Sequence, residues 1–253
     1  MDVFSAQSDR IIRAVGHRWQ QWQNMSFYKK LPVEEVFSTI YETREWGSRQ
    51  DRPFCSGEGS VREDAVEPYC EMVRAFLRGN DIKRVVDLGC GDFGVGSRLK
   101  TPGVSYTGVD IVPALIDYNQ KHFGSHDVEF HCMNMIDDEL PPGDLCLVRQ
   151  VMQHLSNEQI KKTLKSLSRY KYAIVTEHVY SGPGLRRNLN KPHGPGIRLP
   201  KRSGVFLESP PFNCPAKILL EVQLKENEVL RTLAISWSHP LEAIVYEPVH
   251  AAG

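Results

Sequence analysis

Hydrophobic and polar positions change period several times along this chain. Between residues 8 and 25, Ile11, Ile12, Val15, Trp19 and Trp22 recur at three- and four-residue steps, which predicts one apolar face of a helix. A second helix is predicted over 61–78, burying Ala65, Tyr69, Val73 and Phe76, with Pro68 bending it or marking a late start. Ser60-Val61-Arg62-Glu63 reads as a capping box at its start, and Gly79 as its end. From residue 83 the period shortens. Short runs rich in β-branched residues, at 83–88, 104–110, 128–133, 144–148 and 172–176, predict five buried strands. Helical stretches separate them: a short one reaching Lys100, one opening at Pro113 and closing at Gly124, and one running from Ser156-Asn157-Glu158-Gln159, a second capping box, to about Arg169. Near the end, Lys217–Leu224 and Val229–Trp237 flank a polar Lys-Glu-Asn-Glu turn, a hairpin pattern.

The first strand runs into Asp87-Leu88-Gly89-Cys90-Gly91-Asp92-Phe93-Gly94, and the second ends at Asp110, nineteen residues after Gly91. A strand, a glycine turn, a helix and a second strand ending in an acid make a nucleoside site. Glycine lets the backbone turn and a ligand come close, and the acid accepts hydrogen bonds from ribose hydroxyls. Gly89 to Gly94 also fits Gly-x-Gly-x-x-Gly, so a dinucleotide site for an NAD(P)-dependent oxidoreductase is the competing reading. A binding domain that keeps such a fold without turnover is a third.

Asp87 two residues before Gly89, followed by Gly108-Val109-Asp110, resembles the first two motifs of class I S-adenosylmethionine-dependent methyltransferases. A subgroup of that family has a Phe–Ile–Tyr helix, a Trp-Gly and a Ser-Gly-x-Gly-Ser ahead of its first core helix. This chain matches at Phe37, Ile40, Tyr41, Trp46, Gly47, Ser56, Gly57, Gly59 and Ser60, and again at Pro211-Phe212-Asn213-Cys214-Pro215. The resemblance spans roughly residues 36–224. It implies a Rossmann-like seven-stranded α/β sheet, mostly parallel, with a C-terminal antiparallel hairpin and an N-terminal helical cap. The cap would occupy residues 1–60 and the methyltransferase domain 61–253. The final hairpin, with Asp87, separates this reading from the dinucleotide one, whose core ends in a parallel strand.

The resemblance further implies S-adenosylmethionine as cofactor, with S-adenosylhomocysteine as product. Its site would be formed by Trp46, Ser56, Gly57, Ser60, Asp87, Gly89, Cys90, Gly91, Asp110, Ile111, Asn134, Met135 and Arg149. The subgroup has an aspartate where Asn134 stands. Asparagine keeps a carbonyl acceptor for the adenine amino group, with less charge; the alternative is a polar strand end. Strand ends face the ligand crevice in open α/β sheets. That places Arg149, Gln150 and His154 after the fourth strand, and Glu177 and His178 after the fifth. His154, Glu177 and His178 are the catalytic candidates. A base is needed only when the nucleophile must lose a proton, as a hydroxyl does. His154 as a packing histidine and Glu177 as a structural acid are the simpler alternatives.

Residues 179–204 carry Gly, Pro and Asn without an apolar period, with Arg186, Arg187, Lys191, His193, Arg198, Lys201 and Arg202 inside that stretch, and 179–215 is expected to be a substrate-facing loop insertion. A long loop in a compact domain is often functional. Its cations suit an anionic group on a substrate, with Gln150, Arg186, Arg187 and Arg198 as binding candidates; a solvated loop is the alternative. The rest of the chain is balanced, with 31 Lys+Arg against 31 Asp+Glu, which argues against a dedicated nucleic-acid binder. The six cysteines have no Cys-x-x-Cys spacing, which argues against zinc and for a reduced, cytoplasmic protein. The first ten residues lack the form of a signal peptide, and no apolar run approaches a bilayer span. The expected enzyme O-methylates a small-molecule or glycan acceptor that carries negative charge. The N-terminal helix either packs on the domain or acts as a lid or homodimer contact.

Overall fold

The computed structural model describes residue 28, residues 30–48, residue 50 and residues 52–245. The predicted helix over 8–25, and with it the lid or homodimer contact, lies outside the described residues. Within them the strands are β1 (Arg84–Leu88), β2 (Ser105–Asp110), β3 (Val128–Cys132), β4 (Leu145–Arg149), β5 (Tyr172–Tyr180), β6 (Ala216–Lys225) and β7 (Glu228–Ile235). They form one seven-stranded sheet in the order β3-β2-β1-β4-β5-β7-β6. The first five strands pair in parallel, β7 runs antiparallel to β5, and β6 antiparallel to β7. Helices α1 (Val33–Glu42), α2 (Glu63–Gly79), α3 (Pro113–Phe123) and α4 (Asn157–Leu167) accompany it.

The sheet is apolar on both faces because helices cover both. Val85, Leu145, Leu147 and Ile174 pack with Tyr69, Val73 and Phe76 of α2. Val86, Cys146, Val148 and Val175 pack with Ile160 and Leu164 of α4 and with Phe37 and Ile40 of α1. The α1 segment therefore shares the core of the sheet. Ser156 caps α4 as its sequence predicts: its side chain accepts from Gln159 N–H, and the Gln159 side chain accepts from Ser156 N–H.

Three local expectations are corrected. Ser60 does not cap α2; the helix starts at Glu63 after Arg62, and the Ser60 hydroxyl donates to Ser56 O at 3.2 Å. The predicted helix before Lys100 is a single 3-10 turn, Gly96–Leu99. The third correction matters most for the site. β5 does not stop at Thr176 but continues to Tyr180, because β7 supplies partners for Glu177 through Tyr180. The 179–215 segment is also better anchored than its composition suggests: Val205, Phe206 and Leu207 are buried, and Asn188 holds the Phe206 N–H and C=O with its own carbonyl and amide.

Candidate functional site

A cavity of about 1020 Å³ opens at the carboxyl ends of β1, β2, β4 and β5. Its floor is the turn after β1. Gly89 and Gly91 have φ of +73° and +56°, where glycine is favoured. A Cβ on Gly89 would meet Val151 Cγ2 at 2.4 Å, and one on Gly91 would meet Ser56 Oγ at 2.3 Å. Gly89 and Cys90 N–H both donate to Val109 O, at 2.8 and 3.0 Å, which ties the turn to β2. At the end of β2, Asp110 accepts from Gly91 N–H (3.0 Å) and Val112 N–H (3.2 Å). Burial pushes its pKa up to about 6 against those donors. Asp87, one strand over, accepts from the Tyr106 hydroxyl at 2.6 Å, and burial raises its pKa to about 6 as well.

The segment ahead of α2 forms the opposite wall. Ser56 Oγ accepts from Asp92 N–H at 2.8 Å and shares a 3.0 Å hydrogen bond with the Tyr41 hydroxyl. One serine thus pins both α1 and the Ser-Gly-x-Gly-Ser loop against the glycine turn. Trp46 stands edge-on to Tyr41, with centroids 5.4 Å apart. A Cβ on Gly59 would lie 2.1 Å from Gln150 Oε1, so this glycine makes room for a side chain from the end of β4. Arg149 lies over the Tyr69 ring at 5.1 Å and donates to Gly59 O at 2.9 Å. Its Nε is buried without a partner.

The cavity brings together every residue expected at the cofactor: Trp46, Ser56, Gly57, Ser60, Asp87, Gly89, Cys90, Gly91, Asp110, Ile111, Asn134, Met135 and Arg149, together with Gln150. Asn134 is partly committed, since its Oδ1 accepts from Ile136 N–H at 2.9 Å; a carbonyl oxygen retains a second lone pair.

The catalytic candidates separate. His154 lines the cavity but is buried, its ring 5.0 Å from Trp46 and its Nδ1 without a partner. Burial, then the nearby Lys191, hold its pKa down at about 3, so it is neutral at pH 7. Glu177 does not line the cavity. Its two carboxylate oxygens accept from Met152 N–H (2.9 Å) and Gln153 N–H (3.0 Å), fastening the turn after β4 to β5, and burial pushes its pKa to about 8. His178 does line the cavity, next to Glu228.

The expected cationic contacts of the 179–215 segment are displaced. Arg198 is buried, with its guanidinium donating to the carbonyls of Leu189, Gln153 and Leu155 and to Asn157 Oδ1 at 2.8–3.0 Å. It holds the loop to the turn after β4, so its donors are spent on protein. Arg186 and Arg187 are exposed away from the cavity, Arg187 lying over the Phe206 ring at 5.3 Å. The loop reaches the cavity instead through Pro195–Ile197 and Leu199–Lys201. Cations at its edge are Arg62, Lys201 and Lys225; Lys201 belongs to the cationic stretch read from the sequence, whereas Arg62 and Lys225 were not foreseen. Tyr41 and Glu228 also line it and were missed. Tyr41 lay within the Phe–Ile–Tyr match, but nothing local marks Glu228.

Residues 85–170 match the family model described as "Methyltransferase domain". No protein of curated function matches the chain in sequence. Among solved structures, the chain is similar to human N-acetylserotonin methyltransferase in complex with SAM, at 16% identity and TM-score 0.51, covering 81% of this chain and 60% of that one. It is similar to magnesium protoporphyrin IX methyltransferase from Synechocystis PCC 6803 with bound SAH, at 15% identity and TM-score 0.52, covering 81% and 98%. It is also similar to the methyltransferase domain of bacterial CtHen1, at 17% identity and TM-score 0.50, covering 68% and 98%. The chain spans 60% of the length of the human protein. Identities this low speak for the fold. Residues 85–170 thus resemble a methyltransferase domain, and the seven-stranded sheet has the Rossmann-like fold of these solved methyltransferases.

Proposed function

We propose that the protein is an S-adenosylmethionine-dependent methyltransferase that methylates an oxygen of a small-molecule or glycan acceptor carrying negative charge. The observation that carries this reading is Asp110, an acid held by Gly91 N–H at the rim of a turn where added Cβ atoms would clash. The residues fit the cofactor. Asp110 has lone pairs left for two ribose hydroxyls. Ile111, Asn134 and Met135 would surround the adenine. Arg149, buried with a free Nε, suits the carboxylate of the methionine portion, with Ser56 and Ser60 beside it. The cavity is at the upper end of the range for small-molecule sites, roughly 300–1,000 Å³, which leaves space for an acceptor beside the cofactor.

When bound, the cofactor supplies a methyl group already activated by a sulfonium. The protein then orients the acceptor, excludes water and takes up any proton the nucleophile must lose. Phe37 and Trp46 on one side and Pro195 and Ile197 on the other give the cavity apolar walls, while Lys201, beside Arg62 and Lys225 that already pair with Asp64 and Glu228, would favour an acidic acceptor group. An antiparallel β7 speaks against the dinucleotide reading. A calorimetric titration with S-adenosylhomocysteine, run beside NADH, tests the proposal. Binding of the former alone is expected; binding of NADH alone, or of neither, would reject it.

A further inference from the structure

The cavity continues beyond the level of Arg149 along the extra length of β5. In the β4–β5 register Arg149 pairs with Thr176. His178, two residues on, lies about 7 Å further along the strand and on the same face as Thr176. Glu228 opens β7 opposite Tyr180. Its Oε2 lies 3.2 Å from His178 Nε2, with the side chains only 16% and 26% exposed. The contact is off the N–H axis, so the buried Nε2 is near a carboxylate without an aligned hydrogen bond. Lys225, at the end of β6, approaches the same carboxylate at 3.7 Å. Arg62, ahead of α2, is the other charge acting on the ring. These four residues come from four separate segments and all line the cavity.

The other catalytic candidates do not compete. His154 holds a proton too weakly, and Glu177 lies outside the cavity with both oxygens occupied. Burial lowers the affinity of His178 for a proton against the pull of Glu228, with Lys225 and Arg62 lowering it further. Its imidazole is accordingly neutral at pH 7 and able to take a proton.

We propose that His178 is the proton acceptor of the reaction, positioned by Glu228, and that the substrate presents a weakly acidic hydroxyl to its Nδ1. This rests on the methyltransferase reading above. Nε2 is the ring nitrogen beside Glu228, at 3.2 Å, and a small turn of the ring would aim its N–H at the carboxylate, leaving the Nδ1 lone pair for the substrate. The hydroxyl proton moves to Nδ1 as the oxygen forms its bond to the methyl carbon. The sulfur keeps the electron pair of the broken S–C bond, so sulfonium becomes thioether. The imidazolium is balanced by the Glu228 carboxylate and returns its proton to water. Arg62 and Lys225, each paired with one carboxylate (Asp64 and Glu228), still add positive potential that favours the developing oxyanion and so a phenol-like or similarly acidic hydroxyl.

The test needs no acceptor. S-adenosylmethionine and S-adenosylhomocysteine differ at the sulfur by one methyl group and one positive charge. In protein labelled on its nine histidines, NMR titration would follow the His178 ring in each complex, with the signal assigned by loss in His178→Gln and independently by displacement in Glu228→Gln. The His178 pKa is expected to be lower with S-adenosylmethionine than with S-adenosylhomocysteine by on the order of one pH unit, the effect of a unit charge within several ångströms. Glu228→Gln should lower it by a similar amount and weaken the preference for the Nε2–H tautomer. Equal pKa values in the two complexes, or a Glu228→Gln variant with unchanged ring titration and tautomer, would overturn the proposal. Calorimetry on the wild-type protein separates the two failures. If S-adenosylhomocysteine does not bind, the methyltransferase reading fails and this inference with it; if it binds and His178 is indifferent, only the inference fails.

Discussion

Asp110 is the residue on which the cofactor reading turns, and its surroundings set two expectations. Replacing it by Ala removes a charged acceptor for two hydroxyls, worth about 1.5–3 kcal/mol, so affinity for S-adenosylhomocysteine should fall roughly ten- to hundredfold by calorimetry. Near-wild-type affinity in a folded variant would reject the ribose assignment. Because burial raises the Asp110 pKa to about 6, and the ionised form is the one that accepts both hydroxyls, affinity should be full above that pH and decline as pH falls through it. Gly89 carries a different lesson. A side chain there was expected to obstruct the ligand, yet its Cβ would first strike Val151 at a φ of +73°. Gly89→Ala should lower stability as well as cofactor affinity. His154 behaves as a buried neutral group. Its folded pKa is about 3, below the ordinary 6.5, so the unfolded chain takes up the proton first. Its contribution to stability is intact above pH 6.5 and is lost as pH falls toward 3. Urea unfolding of His154→Gln should therefore show a shallower acid dependence than wild type, by up to about 1.4 kcal/mol per pH unit over that window.

At the scale of elements, the turn after β4 is the joint of the site. Glu177 holds it from β5, and Arg198 holds its carbonyls from the long loop. Arg198→Met would leave several buried carbonyls and Asn157 Oδ1 without a donor, at about 1–3 kcal/mol for each group left unsatisfied. The variant should lose about 3 kcal/mol or more in urea unfolding, and its 179–215 segment should be cleaved faster by protease. If Arg198 instead bound substrate, stability and protease resistance would hold. Arg186 and Arg187 make the contrast. Exposed and remote from the cavity, they should be replaceable by Ala with unchanged stability and unchanged S-adenosylhomocysteine affinity.

For the whole molecule, the cavity is where helices, loop and hairpin converge at one end of the sheet. A ligand that binds only the folded state stabilises it by mass action, about 2.7 kcal/mol at a hundred times its Kd. For a chain of 253 residues that corresponds to a melting temperature roughly 5–10 °C higher. Saturating S-adenosylhomocysteine should produce such a rise and NADH none. The hairpin contributes to the site as well as to the sheet edge, because β7 both extends β5 and delivers Glu228.

Much of this arrangement was written along the chain in features that need only near neighbours. Alternating strand and helix periods, the two glycines after Asp87, Asp110 at the end of the next apolar run and the Ser156 capping box are each set by local backbone chemistry. The same holds for the pattern of the final hairpin. The group of residues expected at the cofactor was legible as the lining of one cavity for that reason: they sit at fixed offsets from strand ends. The acceptor side was not. Where β5 ends depends on a partner some fifty residues later, and that length decides that Glu177 turns to the backbone behind the site while His178 turns into it. Side chains alternate faces along a strand, so adjacent residues with the same apparent candidacy receive opposite fates. Arg198 and Arg187 looked equivalent by composition; burial against the turn after β4 separated them. Glu228 carried no local signal at all, and only the antiparallel register of β5 with β7 set its carboxylate beside an imidazole fifty residues away in sequence.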